Sequence, residues 1–100
     1  LSTTYGVGEL SAINGVMGSK AHRLPVFHLV GMPSERIQKQ GLITHHNLGD
    51  AVYDRFQALS AEAACVSAIL TPDNCIDELE RVIRTYSDHI LFPIELLVLL

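Results

Sequence analysis

The sequence lacks a basic cluster, and this shortage removes one class of partner. The formal net charge of the 100 residues is −4, and the lysines and arginines are spread along the chain. Without a concentration of positive charge, nothing in the sequence attracts a phosphate backbone or an anionic lipid surface. We therefore expect no nucleic acid and no membrane among its partners.

Cysteine is also scarce, with only Cys65 and Cys75 present. Their spacing matches no zinc-binding pattern, so a structural zinc site is not expected. Two reduced, buried thiols are the simpler interpretation, and a disulfide or redox pair is the alternative.

The sequence contains no apolar run long enough to cross a bilayer. Its most apolar segment, residues 91–100, is too short to span, and no charged segment followed by an apolar stretch opens the chain. We expect a soluble, cytoplasmic protein. A chain of 100 residues holds one domain at most, and since it starts at Leu1 rather than Met and ends on apolar residues, both ends look cut.

What is present is an alternation of strand and helix patterns. These comprise a strand end at 1–5, a helix at 9–21, a strand at 26–30 covered on both faces, a helix from Ser34 to about Gln40, a loop or helix end at 41–49 and a short helix at 53–60. The alternation predicts right-handed crossovers and an α/β fold, in which flanking helices layer a parallel sheet.

Two of the helices carry apolar stripes. In the helix at 9–21 the stripe is Leu10, Ile13, Met17 and Ala21, and Gly15 and Gly18 would let it approach the sheet closely. In a later helix, capped by Thr71 and opened by Pro72, the stripe is Ile76, Leu79, Val82, Ile83 and Tyr86. Residues 63–70 before that helix suit a strand or a helix, and residues 90–100 after it read as a buried strand.

Few motifs indicate chemistry from residue types alone. The sequence Gly6-Val7-Gly8 resembles the opening of a dinucleotide-binding loop, but Ser11 replaces the third glycine, so a tight strand-to-helix turn is the better interpretation. The adjacent His45 and His46 stand in a loop and can place two groups that titrate near neutrality beside one reaction centre. Two partly solvated loop histidines are the alternative. We assign His22 and His28 to packing or to the surface.

Three blocks resemble a known family in order and separation. Residues 3–15 (TTYGVGELSAING), 25–34 (PVFHLVGMPS) and 45–49 (HHNLG) are similar to the N-terminal region of pyruvate and indolepyruvate decarboxylases. The resemblance extends through residues 53–56 and 72–84 and fades after His89. It implies that residues 1–100 are a partial N-terminal pyrimidine-binding domain of a thiamine-diphosphate-dependent 2-oxo-acid decarboxylase. The domain's first strand–helix segment, the middle domain and the C-terminal diphosphate-binding domain would then be absent.

The family's reaction converts a 2-oxo acid such as pyruvate or indolepyruvate to an aldehyde and carbon dioxide. The resemblance implies a homo-oligomer in which thiamine diphosphate lies between subunits and the C-terminal domain of the partner chain holds Mg²⁺. It places the catalytic pair of histidines on His45 and His46 and the cofactor contacts on Thr4 and Val7, with no metal ligand in this chain.

The resemblance also implies what the chain does not contain. The family's activating glutamate precedes the region that the chain covers, and Glu9 does not correspond to it. We therefore do not expect the isolated 100 residues to be active. The alternative function is a truncated, non-catalytic remnant, or an incomplete gene product, that only associates with related subunits.

Overall fold

A computed structural model describes residues 1–88 and 94–99, and within them every two successive strands are separated by one or two helices. The elements are β1 (Ser2–Thr4), α1 (Val7–Ala21), β2 (Phe27–Met32), α2 (Glu35–Lys39), α3 (Arg55–Ser60), β3 (Val66–Leu70), α4 (Cys75–Asp88) and β4 (Ile94–Leu99). No helix in this described part is both long and apolar enough to cross a membrane.

The strands form one sheet in the order β1-β2-β4-β3, and every neighbouring pair is parallel. The register pairs Thr3 with Val30 and continues across β4 to β3, where Ala68 lies opposite Leu96. Because the strands are parallel, their carboxyl ends share one edge of the sheet. The predicted parallel α/β sheet is confirmed.

Two hydrophobic clusters cover the sheet on opposite faces. One contains Tyr5, Val30, Met32, Tyr53 and Phe56, with Ile69 packed against it, and the other contains Val66, Ala68, Leu70 and Val82. Since successive side chains of a strand point to opposite faces, the division of β3 between the clusters places them on the two sides of the sheet. The predicted layering of helices around the sheet is therefore also confirmed.

The predicted stripe of α1 is only partly correct. The helix starts at Val7, two residues before the predicted start at residue 9, and buries Glu9 and Val16, whereas Met17 is 41% exposed. The prediction of close approach at Gly15 and Gly18 is wrong, because a Cβ added at either position would meet no atom of the described residues within 4 Å. The helix instead contacts β1 and α3, so its buried line runs through the residues that face those elements.

Burial on the opposite face also differs from the prediction. On β2, Phe27 and Leu29 are 43% and 41% exposed, and Phe27 packs against Tyr86 of α4, so the second face of the strand is only partly covered among the described residues. On α4, Val82 is fully buried, whereas Ile76 and Ile83 of the same predicted stripe are 77% and 56% exposed. A single helix, α4, packs on β3 here, and one helix is too narrow to cover the neighbouring strands.

A local capping interaction precedes α4, as the sequence predicts. The backbone N–H of Asn74 donates to Thr71 Oγ1 at 3.3 Å, and Asn74 Oδ1 accepts from the backbone N–H of Thr71 at 2.7 Å. This reciprocal pair closes the turn at residues 72–74, and α4 starts after it at Cys75, three residues later than the predicted opening at Pro72. Of the predicted strand at 90–100, residues 94–99 form β4, and the remainder lies outside the described residues.

Both cysteines are free and half-buried, so the disulfide alternative is wrong. Burial raises the pKa of the Cys65 thiol, which keeps this thiol protonated. The thiols are less buried than predicted.

A buried histidine makes the stability of the fold depend on pH. The His28 ring is 2% exposed and its Nε2 lies 2.8 Å from Thr3 Oγ1. Burial, with a smaller effect of the Leu1 ammonium, lowers the pKa of His28 from its ordinary value of 6.5. The unfolded chain then binds the proton more readily than the folded protein does. The contribution of His28 to stability is therefore complete above its ordinary pKa of 6.5, and it is lost as the pH falls through the lowered folded-state pKa.

We therefore expect the thermal midpoint of the protein, measured by circular dichroism, to decrease as the pH is lowered from about 7 to about 5. The decrease should be smaller in His28→Gln. The variant His22→Gln is the matched control, because His22 is exposed at the end of α1 and should leave the slope unchanged. Equal slopes in His28→Gln and the parent protein would contradict the assignment.

Candidate functional site

The candidate site lies where β1 ends at the carboxyl edge of the sheet. Tyr5 and Gly6 form the turn from β1 into α1, and both are buried. The loop between α2 and α3, residues 40–54, reaches this turn and carries His45 and His46. The fold thus brings together the first and third sequence blocks that resemble the decarboxylases.

The two histidine rings lie side by side. Their centroids are 4.3 Å apart with an interplanar angle of 50°, although neighbouring side chains of a chain usually diverge. His45 is exposed and His46 is partly exposed, so both rings are open to a ligand. His46 has a φ of 64°, a left-handed conformation that is uncommon outside glycine and that proteins retain mostly where the surroundings impose it.

Tyr5 contacts the histidine loop through its hydroxyl group and its ring. Its hydroxyl donates to the carbonyl oxygen of His45 and lies 2.6 Å from Thr44 Oγ1. Its ring centroid is 6.4 Å from that of each histidine, with nearly perpendicular planes. Edge-to-face contacts of this kind add to the packing, so Tyr5 restrains both the backbone and the rings of the pair.

Gly6 allows the turn and the histidine loop to touch. A Cβ at this position would lie 2.0 Å from the carbonyl oxygen of His46, and Gly6 has a φ of 65°. Only glycine combines this backbone conformation with so close a contact. The tight-turn interpretation of Gly6 therefore holds, and the contact explains why the turn needs a glycine.

The rest of the loop is held by its own polar side chains. Asn47 Nδ2 donates to the carbonyl oxygen of Thr44 at 2.5 Å, and Asn47 Oδ1 accepts from the N–H of Gly49 at 2.7 Å. Asp50 pairs with Arg55 of α3 at 2.8 Å, and this guanidinium, helped by the N–H of Val52, lowers the pKa of Asp50. The loop thus has defined anchors on both sides of the histidine pair.

Thr4 and Val7 flank the turn on the open side. Thr4 is exposed and Val7 is 52% exposed, and they are the residues directly before and after the Tyr5–Gly6 turn. Within the described residues, no group of three or more His, Cys, Asp or Glu side chains is placed to hold a metal ion.

Sequence reasoning missed the residues beneath the site. The sequence patterns predict only a strand end at Tyr5, and the family resemblance implies only that Glu9 is not the activating glutamate. In the structure Glu9 is 1% exposed and bonds to the Gly6 turn. A glutamate three residues after a helix start is the sequence signal of a capping interaction and predicts this contact. No local signal predicts the contact from Tyr5 to a loop 40 residues away.

Comparison with known proteins gives relatives with recorded functions. No protein-family model matches the sequence. Over 89 residues, which are 89% of this chain and 16% of the relative, it is 42% identical to an alpha-keto-acid decarboxylase of Mycobacterium leprae. It is 44% identical over 84 residues to pyruvate decarboxylase isozyme 2 of Saccharomyces cerevisiae, covering 83% of the chain and 15% of the relative.

A third relative is named as a regulatory protein and not as a decarboxylase. The chain is 42% identical over 85 residues, 84% of its length, to the thiamine metabolism regulatory protein of Saccharomyces cerevisiae, of which it covers 14%. The chain therefore spans between 14% and 16% of the length of these three relatives.

Proposed function

Because the chain belongs to the family of the pyruvate and alpha-keto-acid decarboxylases, we propose that it forms one part of the active centre of a non-oxidative 2-oxo-acid decarboxylase. The substrate is pyruvate, indolepyruvate or a similar 2-oxo acid, and the products are an aldehyde and carbon dioxide. In this proposal residues 1–100 are a partial pyrimidine-binding domain. Other parts of a full-length enzyme supply the remaining domains.

One observation carries the proposal more than any other. The His45 and His46 rings, 4.3 Å apart, lie against the same turn that presents the exposed Thr4 and Val7. Sequence similarity alone assigns the two histidines to one family motif and the turn residues to another. The contact between Gly6 and the His46 carbonyl oxygen joins these two segments at the carboxyl edge of a parallel sheet, where α/β proteins commonly bind ligands, and this supports treating them as one site.

The histidines can perform the polar steps of the reaction. Breaking the bond between the carboxylate and the 2-oxo carbon releases carbon dioxide, and one proton must then be added at that carbon before the aldehyde leaves. A neutral imidazole has one nitrogen that donates and one that accepts. A pair at this distance can therefore hold the substrate carboxylate with N–H groups, and a ring that carries a second proton can deliver that proton and return to the neutral form.

The exposed turn residues fit a thiamine diphosphate. Thr4 and Val7 are both exposed, so a hydroxyl group, a methyl group and an apolar side chain are available to contact an aminopyrimidine ring. When bound, the cofactor supplies the electron sink that 2-oxo-acid decarboxylation needs. We assign its diphosphate and Mg²⁺ to a diphosphate-binding domain of a partner subunit, so the proposed enzyme is a homo-oligomer. We assign this enzyme to the cytoplasm.

A segment exchange tests the function. The 84-residue segment of pyruvate decarboxylase isozyme 2 that aligns with this chain is replaced by the chain's own residues, and aldehyde release from pyruvate is measured by coupled reduction to the alcohol. We expect the chimera to retain aldehyde release, and the isolated chain to show none because the remaining domains are needed. Circular dichroism and thiamine diphosphate binding serve as controls. A folded, cofactor-binding chimera without aldehyde release would contradict the proposal.

The regulatory relative favours a second candidate, a non-catalytic chain that associates with related subunits. Its identity to this chain, 42%, is the same as that of the Mycobacterium leprae decarboxylase, so similarity in this segment does not separate catalysts from regulators. This candidate predicts that the isolated chain co-elutes with a full-length relative in size-exclusion chromatography. It also predicts that the chimera folds without turning over.

A further inference from the structure

The side chain of Glu9 is an ionisable group that neither candidate function uses. It is 1% exposed, and no ion pair to it is formed by the described residues. Burying a carboxyl group away from water is costly unless hydrogen bonds replace the lost hydration. Its position therefore calls for a physical explanation.

Two hydrogen bonds account for its burial. Glu9 Oε1 accepts from the Ser60 hydroxyl at 2.9 Å, and Glu9 Oε2 accepts from the backbone N–H of Gly6 at 3.4 Å. Ser60 is the last residue of α3 and is itself 4% exposed. The carboxyl group thus ties the first turn of α1, and the turn before it, to α3.

The tied turn is the one that touches the histidine pair. Gly6 packs against the carbonyl oxygen of His46, and the hydroxyl of the preceding residue, Tyr5, donates to the carbonyl oxygen of His45. A shift of Gly6 must therefore move both backbone contacts of the pair. The carboxyl group does not reach either ring, so its effect passes through the turn.

We infer that Glu9 is a positioning residue that sets the geometry of the His45–His46 pair through the Gly6 turn. The inference rests on the proposed function for its effect on turnover, but its effect on ring geometry is independent of that function. Glu9→Ala would leave the Ser60 hydroxyl and the Gly6 N–H buried without this partner, and the turn would relax toward other contacts. Displacements of about 1 Å can lower turnover by about 10- to 100-fold.

The conservative variant separates geometry from charge. In Glu9→Gln, the amide oxygen can accept from the Gly6 N–H while the amide nitrogen donates to Ser60 Oγ, which also accepts hydrogen bonds. Both ties are then kept without a charge. We expect Glu9→Gln to behave like the parent protein, and Glu35→Ala, at an exposed glutamate of α2, to serve as the matched control.

The experiment combines ring spectra with kinetics. Histidine ring resonances of the chain are recorded by NMR for Glu9→Ala, Glu9→Gln and Glu35→Ala. Only Glu9→Ala should shift His45 and His46, and it should leave His22 unmoved. In the chimera, Glu9→Ala should lower kcat by about 10-fold or more with KM nearly unchanged. Ser60→Ala, which removes one tie only, provides a milder version of the same test if Glu9→Ala does not fold.

Unshifted His45 and His46 resonances in folded Glu9→Ala or Ser60→Ala would overturn the inference. So would a loss in Glu9→Gln equal to that in Glu9→Ala, because this would indicate a requirement for the charge itself. The outcome remains distinguishable from failure of the proposed function. If the histidines are not catalytic, their resonances still shift while turnover of the chimera does not change.

Discussion

Replacing both His45 and His46 with alanine in the chimera should lower turnover by about 10²- to 10⁴-fold, the usual contribution of general acid–base catalysis. The two rings lie 4.3 Å apart and are open to a ligand, so they can act on one bound substrate. Alanine at both positions removes the two imidazole rings and leaves the backbone contacts of the loop in place. The measurement is the steady-state rate of aldehyde release at saturating pyruvate.

The control for this result is His22→Ala. His22 is exposed at the end of α1, where its ring bonds to the carbonyl oxygen of Gly18 at 2.9 Å, and it contacts neither loop nor turn of the site. Its replacement should change turnover by less than about 2-fold. A double variant that folds, binds thiamine diphosphate and keeps the parent rate would exclude a catalytic role for the pair.

Gly6→Ala should cost stability on the order of 3 kcal/mol, because two penalties add. The Gly6 φ of 65° is strained for any residue with a Cβ, and the added Cβ would lie 2.0 Å from the carbonyl oxygen of His46. That oxygen belongs to the backbone and cannot rotate away as a side chain would. The measurement is the free energy of unfolding of the 100-residue chain from urea denaturation.

Gly15→Ala is the matched control with the opposite expected sign. Gly15 lies inside α1, and an added Cβ would meet no atom within 4 Å among the described residues. In that setting alanine is the better helix former, so stability should rise by about 0.5–1 kcal/mol. A Gly6→Ala protein as stable as the parent would show that the turn does not make the close contact with the histidine loop.

Much of the secondary structure followed from local chemistry. Thr71 and the proline after it predict a helix start in the sequence, and in the structure Thr71 and Asn74 bond reciprocally just before α4 begins at Cys75. Residues 63–70 could not be assigned in this way, since alanines favour helix and β-branched residues favour strand. They include the strand β3 because Val66–Leu70 pairs with β4 and buries alternate side chains in a cluster with Val82. Pairing with a strand distant in sequence therefore determined the secondary structure of a segment whose helix and strand propensities conflict.

The sequence by itself determined the fold class and which residue types are available for chemistry: the histidine pair and the turn around Gly6 can be read from it directly. The tertiary structure alone decided that these residues meet, because the contacts that join them, from Tyr5 to Thr44 and His45, span 39 and 40 positions along the chain. It also decided that Glu9 is buried and that Ile76 and Ile83 are not. Local patterns specify a helix or a strand, but only packing between elements specifies which of its faces is covered.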